Sequence, residues 1–191
     1  EIASCPWDRE LILMVDLLEN GSEAVVGSET DVIVTMDPDL VKSYRLMGYA
    51  GREDPEIEGN SGPSSAGLAP GRSNYVLYQI RPRDWSGTEF QKVMARVSLR
   101  AGVPAGELVV PVTSPPKDWM LASSNLKTAV ALSAWGMVLR QSPFGSPLTH
   151  FDIVRMAKSA LEETDASELK RREALQLILD SLPLFEIDSG S

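Results

Sequence analysis

The feature that most constrains this chain is a change of hydrophobic period part-way along it. In "KVMARVSLR", Val93, Ala95, Val97 and Leu99 alternate with Lys92, Met94, Arg96, Ser98 and Arg100, the period of two that gives a strand one core face. Later in the chain the spacing lengthens. Phe151, Val154, Ala157 and Leu161 fall three and four apart, on one helical stripe. Strands that come first, with helices only afterwards, do not make βαβ units, so an α+β architecture is expected rather than a parallel sheet.

Five further runs carry strand signals: Leu11 to Leu17, Asp31 to Met36, Lys42 to Tyr49, Tyr75 to Ile80 and Leu108 to Val112. They are rich in β-branched and aromatic residues and are separated by Gly, Pro and Asp. Six short strands predict an antiparallel sandwich or barrel over residues 1–118. Within it, residues 51–73, "GREDPEIEGNSGPSSAGLAPGRS", hold five glycines and three prolines. So little apolar area cannot offset the entropy of ordering the segment, and a long mobile loop is expected there. Its "APGRS" lacks the lysine and spacing of a phosphate-binding loop.

Residues 119–191 predict a helical subdomain packed on the strands. "NLKTAVALSAWGMVLRQS", residues 125–142, is the most apolar stretch. Thr149 with Asp152, and Asp165 with Glu168, have the spacing of capping boxes. The second of these helices is expected to bury Leu175, Ile178, Leu179 and Leu182. Short connections predict antiparallel neighbours, hence a bundle of three helices.

Composition narrows the partners. The chain has 27 acidic residues against 18 basic ones, a net charge of -9, which opposes the phosphate neutralisation that nucleic acid requires. With 43% hydrophobic residues and no apolar run near the roughly 18 residues of a membrane span, a soluble folded chain is expected. The single cysteine, Cys5, excludes an internal disulfide and a cysteine-rich metal site. "IASC" before it resembles a lipoprotein cleavage box, but a small side chain at the entry to a strand is the favoured reading.

Candidate chemistry is sparse. Ser124 and Lys127 lie one helical turn apart, a spacing that would let a serine nucleophile meet a lysine base. The Ser-Asp-Asn and Lys-Thr-Gly elements that accompany this pair in penicillin-binding enzymes are missing, and Ser-x-x-Lys recurs at Ser167 to Lys170. The favoured alternative is that Ser124 or Ser123 caps a helix and Lys127 lies at its solvated edge. Val130, Trp135 and Val138 should then be mostly buried, with Gly136 marking a close approach. His150, the lone histidine, reads as a surface or capping residue at a helix start. No spaced set of ligands suggests a metal, and no cofactor is implied. Of Trp7, Trp85, Trp119 and Trp135, the loop-like settings of Trp85 and Trp119 make them candidates for an interaction surface that stacks on sugars.

"CPWDRELILMVDL", "DVIVTMDPDLVKSYRLMGYAGRE", "AGLAPGRSNYVLYQI" and "NLKTAVALSAWGMVLRQS" together resemble the bacterial family of von Willebrand factor A-domain proteins that carry an uncharacterised C-terminal module. The string Tyr44 to Tyr49 is the most specific part, and the likeness covers nearly the whole chain. In that family a Pro-Trp segment and strand precede the A domain and the other blocks follow it. Here Asn20 runs through "GSEAVVGSET" straight into the later block, as if the A domain were missing. The metal-binding Asp-x-Ser-x-Ser loop of an A domain is missing too, since "DASEL" at Asp165 has Leu169 where its second serine belongs.

The resemblance implies an antiparallel β-sandwich of about six or more strands, made by both flanks of an A domain and followed by a three-helix C-terminal bundle. The function it implies is a non-catalytic framework and protein-interaction module whose partner is an A domain of the parent protein, in the bacterial cell envelope. A serine hydrolase using Ser124 and Lys127, and a glycan-binding sandwich using Trp85 and Trp119, are the alternatives. For the framework reading, Leu11 to Leu17 must pair with Asp31 to Met36 or a later strand, and the connection at residues 20–30 should be a short exposed join.

Overall fold

A computed structural model describes residues 1–17, 30–47, 74–84, 95–101, 107–112, 115–145 and 147–181. The join after Asn20, the loop expected at residues 51–73, Trp85 and Leu182 lie outside the described residues. Four strands, β1 (Ile2–Ser4), β2 (Leu11–Leu17), β4 (Val41–Leu46) and β5 (Asn74–Pro82), form an antiparallel sheet in the order β1-β2-β5-β4. A three-stranded antiparallel sheet takes β3 (Thr30–Met36), β6 (Ala95–Ala101) and β7 (Glu107–Val112) in the order β3-β6-β7. Three helices follow: α1 (Ser124–Leu139), α2 (His150–Glu163) and α3 (Leu169–Asp180). The molecule is α+β, with strands first and helices last. β1 was not predicted, because three residues are too few to show a period.

β2 lies inside the four-stranded sheet, paired along its length with β5 from Leu11↔Ile80 to Leu17↔Asn74. Its residues Leu11 to Val15 are all apolar and all buried, as a strand covered on both faces requires. Leu11, Leu13 and Val15 share one cluster with Val76, Tyr78 and Ile80 of β5 and with Val34 and Met36 of β3. Ile12 and Met14 point the other way, into a cluster with Leu77 and the helices.

α1 lies in that second cluster, with Leu126, Val130, Ala131, Ala134 and Met137 buried. Ser123 is its N-cap, and the hydroxyl accepts from Leu126 N at 3.2 Å, which selects Ser123 of the two serines considered. The helix ends in a Schellman motif: Gln141 N donates to Val138 O and Ser142 N to Met137 O, both at 2.9 Å. Gln141 occupies the left-handed position with φ 52°, where glycine is usual.

Val130 is buried as expected, with Trp135 and Val138 packed against the same cluster. Two other expectations about α1 are corrected. Lys127 is fully buried rather than at a solvated edge. Gly136 has open space around it. The close approach is at Gly145, where a Cβ would meet the Met137 backbone carbon at 3.3 Å.

α2 opens with the predicted capping box. Thr149 Oγ1 accepts from Asp152 N, and Asp152 Oδ2 accepts from Thr149 N, each at 3.1 Å. Its buried residues are Ile153, Val154, Met156, Ala157 and Ala160, a stripe rotated from the predicted one, so Phe151 is 72% exposed. α3 lacks the second predicted box. Asp165 instead turns to Ser167, accepting from its N at 2.8 Å and its Oγ at 2.6 Å, and Glu168 is an N-cap without a side-chain bond. Leu175 and Ile178 are buried as expected, and Leu179 packs against the cluster partly buried.

Candidate functional site

The helix-facing side of the four-stranded sheet changes character along its strands. At one end Met14, Leu77 and Met47 lie in the apolar cluster with Ile12. Beyond them the alternation of β5 brings Gln79 and Arg81 to the same face, and that of the β2 entry brings Glu10. Arg45 of β4 stands opposite Gln79, which is also opposite Ile12. Glu10 and Gln79 are buried, at 6% exposure each, and a buried polar group needs its partners supplied by the fold.

Here they form a continuous chain of bonds. Arg45 Nη2 donates to Gln79 Oε1, and Gln79 Nε2 donates to Glu10 Oε2. Arg81 completes it, with Nε 2.9 Å and Nη2 2.7 Å from Glu10 Oε1. Arg45 Nη1 also lies 3.5 Å from Met137 Sδ of α1. The arginines thus stand at the two ends of a buried amide and carboxylate, so each side chain is oriented by the next.

Above this row is a cleft of about 150 Å³. Its other walls come from the turn between β1 and β2, through Trp7 and Asp8, and from the α1–α2 connection, through Pro143 and Pro147. The Schellman turn at Gln141 and the close packing of Gly145 on Met137 deliver that connection to the sheet. Asp8 and the side chain of Arg81, 43% exposed, face solvent at the rim. Sequence reasoning missed all of these residues as a site. The signal available was polar side chains at positions whose strand neighbours two residues away are core.

The other candidates lie elsewhere. Lys127 Nζ donates to Met120 O at 3.0 Å and pairs with Glu163 of α2. Those contacts tie the segment before α1 to the far end of α2, and no hydrogen bond joins Ser124 Oγ to Lys127 Nζ among the described residues. Ser124 contributes its carbonyl, which accepts from Thr128 Oγ1 at 2.7 Å. Trp119 is half-buried against the helical cluster, and its N donates to Ser4 Oγ at 2.9 Å. Burial pushes the Cys5 thiol up to about 12, so it is a packed thiol rather than a nucleophile. Burial also lowers the pKa of His150 at the start of α2. Among the described residues, no three His, Cys, Asp or Glu side chains gather as metal ligands, and no helix is long and apolar enough to cross a membrane.

Glu1 forms a second polar junction, between β1 and the start of α1. Its carboxylate accepts from Ser123 N at 3.1 Å, from Ser123 Oγ and from Lys117 Nζ at 3.0 Å. Burial alone would raise its pKa, but the bonds from Ser123 and Lys117 outweigh that and hold it below the ordinary value. Polar contacts therefore join the sheet to the helices both here and at the cleft, in addition to the apolar cluster that they share. Comparison with protein-family models, curated proteins and solved structures finds no match.

Proposed function

We propose that this chain is a non-catalytic framework and protein-interaction module of the bacterial cell envelope, whose two sheets form one β-sandwich, backed by a three-helix bundle, around the insertion point of a von Willebrand factor A domain. The observation that carries this reading is the pairing of β2 with β5 along its whole length, which joins the first block of the chain to a block that follows the insertion point. Val34 and Met36 of β3 share a cluster with Leu11, Leu13 and Val15 of β2, as a sandwich of the two sheets would require. A host whose flanks are fixed in one core can accept a domain at a surface connection without losing its own fold.

The test is to insert an A domain between Asn20 and Thr30 and follow both units by calorimetry. The framework reading expects the host to melt at the temperature of the chain without the insert. A host that unfolds on insertion would sink it. Stoichiometric labelling by a fluorophosphonate, lost in Ser124→Ala, would replace it with the hydrolase alternative.

A further inference from the structure

We propose that the outward stripe of α3, made by Leu169, Glu173, Gln176, Leu177 and Asp180, docks a basic amphipathic helix of a partner protein. This goes beyond the framework reading and does not depend on it.

α3 carries apolar side chains on two sides. Its inner side holds Leu175 and Ile178, buried in the cluster shared with α1, α2 and the sheet. Leu169, Glu173, Gln176, Leu177 and Asp180 recur at the three- and four-residue spacing of a helix, so they line one stripe, and all five are exposed. Leu169 is 67% exposed and Leu177 56%, separated by about 12 Å along the helix axis. Joining its own core takes only one apolar stripe, and a single exposed leucine is ordinary. Two leucines on one outward stripe repeat at the interval at which an amphipathic helix repeats its apolar face.

Charge decides the occupant. The stripe holds two carboxylates, Glu173 between the leucines and Asp180 beyond Leu177, and no cation. Asp180 accepts from Gln176 Nε2 at 2.8 Å, and neither acid is in an ion pair among the described residues. The arginines that begin α3 are engaged elsewhere, Arg171 with Glu168 at 2.9 Å and Arg172 Nη1 with Thr164 O at 2.9 Å, and Lys170 falls off the stripe at its edge. A second copy is a poor occupant. Laid antiparallel, with Leu169 against Leu177, it sets the two Glu173 carboxylates face to face, and laid parallel it sets like acids side by side. A helix with lysine or arginine opposite Glu173 and Asp180 covers the same leucines without that repulsion, and the chain's net charge of -9 steers it in. The outward stripe of α2 offers no such match, because Phe151 is accompanied there by Arg155, Lys158 and Glu162.

The experiment is a titration of the full chain with three alanine-based helical peptides. The first carries two leucines at the spacing of Leu169 and Leu177, with lysines between and after them; the second has glutamate in place of lysine, and the third serine in place of leucine. Leucine methyl resonances and calorimetry report the binding. Saturable shifts of the Leu169 and Leu177 methyls with the lysine peptide, and none with the other two, are expected. Leu177→Gln should weaken binding roughly tenfold and Glu173→Gln about two- to fivefold, while Phe151→Gln should leave it unchanged. Both α3 variants place a good helix former at an exposed position, and Glu173→Gln decides the matter even if Leu177→Gln fails to fold. No saturation, equal binding of the glutamate or serine peptide, an equal loss in Phe151→Gln, or affinity unchanged in Glu173→Gln would overturn the proposal. So would dimerisation of the chain alone that Leu177→Gln abolishes, which would give the stripe to a second copy.

Discussion

The two faces of the four-stranded sheet solve the same burial problem differently. The face that carries Leu11, Leu13 and Val15 is filled by an apolar cluster that includes Val34 and Met36 of β3. The opposite face is apolar only where α1 covers it, and changes to Glu10, Gln79, Arg45 and Arg81 where the helix ends. The polar end costs desolvation that an apolar end would avoid, and it coincides with a cleft that the α1–α2 connection leaves over the sheet.

The largest effects should come from the apolar parts, and should be equal on both faces. Ile12→Ala and Leu13→Ala are each expected to cost roughly 2 to 5 kcal/mol, measured by denaturant unfolding. A cost confined to Leu13 would break the comparison, by showing that the helices add little to the sheet.

The next effect lies among the helices. Glu163→Ala leaves Lys127 fully buried with Met120 O as its remaining partner, at a cost of about 2 kcal/mol or more. Lys127→Met, which replaces the charge by a side chain of similar length, should be close to neutral. A large loss in Lys127→Met would give the buried pair a net stabilising role and sharpen the contrast with the sheet.

Smaller changes belong to the helix ends. Thr149→Ala removes the capping box of α2 and should cost about 1 kcal/mol. Gln141→Gly relieves the left-handed φ at the end of α1 and should add up to about 1 kcal/mol. Because Gln141 leads into the cleft wall, unaltered stability there would mean that the turn is held by the packing of Gly145 on Met137.

The smallest effect is on the acid limb of stability. The hydrogen bond from the Thr149 hydroxyl is the main cause that holds the Asp152 pKa below its ordinary value, and Glu1 is lowered as well. Both carboxylates are more acidic folded than unfolded, so their contribution is complete above the ordinary carboxylate range and is lost as pH falls through the lowered values. Stability measured from pH 6 down to pH 2 should fall less steeply in Thr149→Ala. An unchanged slope would remove Asp152 from the account.

Local signals carried most of the fold. Thr149 and Asp152 announce α2 because a capping box needs only four consecutive residues, and the alternating runs placed β2 to β7. Most of the failures involve partners distant in sequence, and Asp165 is a local exception. Lys127 looks like a surface lysine until Glu163 is brought to it across the α1–α2 pair. Asp165 has capping-box spacing, yet Ser167 competes for it locally. The cleft was illegible because Arg45 comes from β4, Gln79 and Arg81 from β5, and Glu10 from the residue before β2, and they meet only once register is set. Polar residues at inward strand positions were the one available trace of it.

The place of β2 in the sheet also has a consequence for how the chain assembles. The hairpin of β1 and β2 is made before β5, the other partner of β2, which ends at Pro82, and the Glu1 carboxylate waits for Ser123. Pairings this remote in sequence raise contact order and slow folding, since loop-closure entropy is spent before the contacts are gained. Until β5 emerges, β2 is an apolar strand with one open edge, the kind of segment that pairs with other chains. The first two of the described strands to be made thus depend on one that is made later.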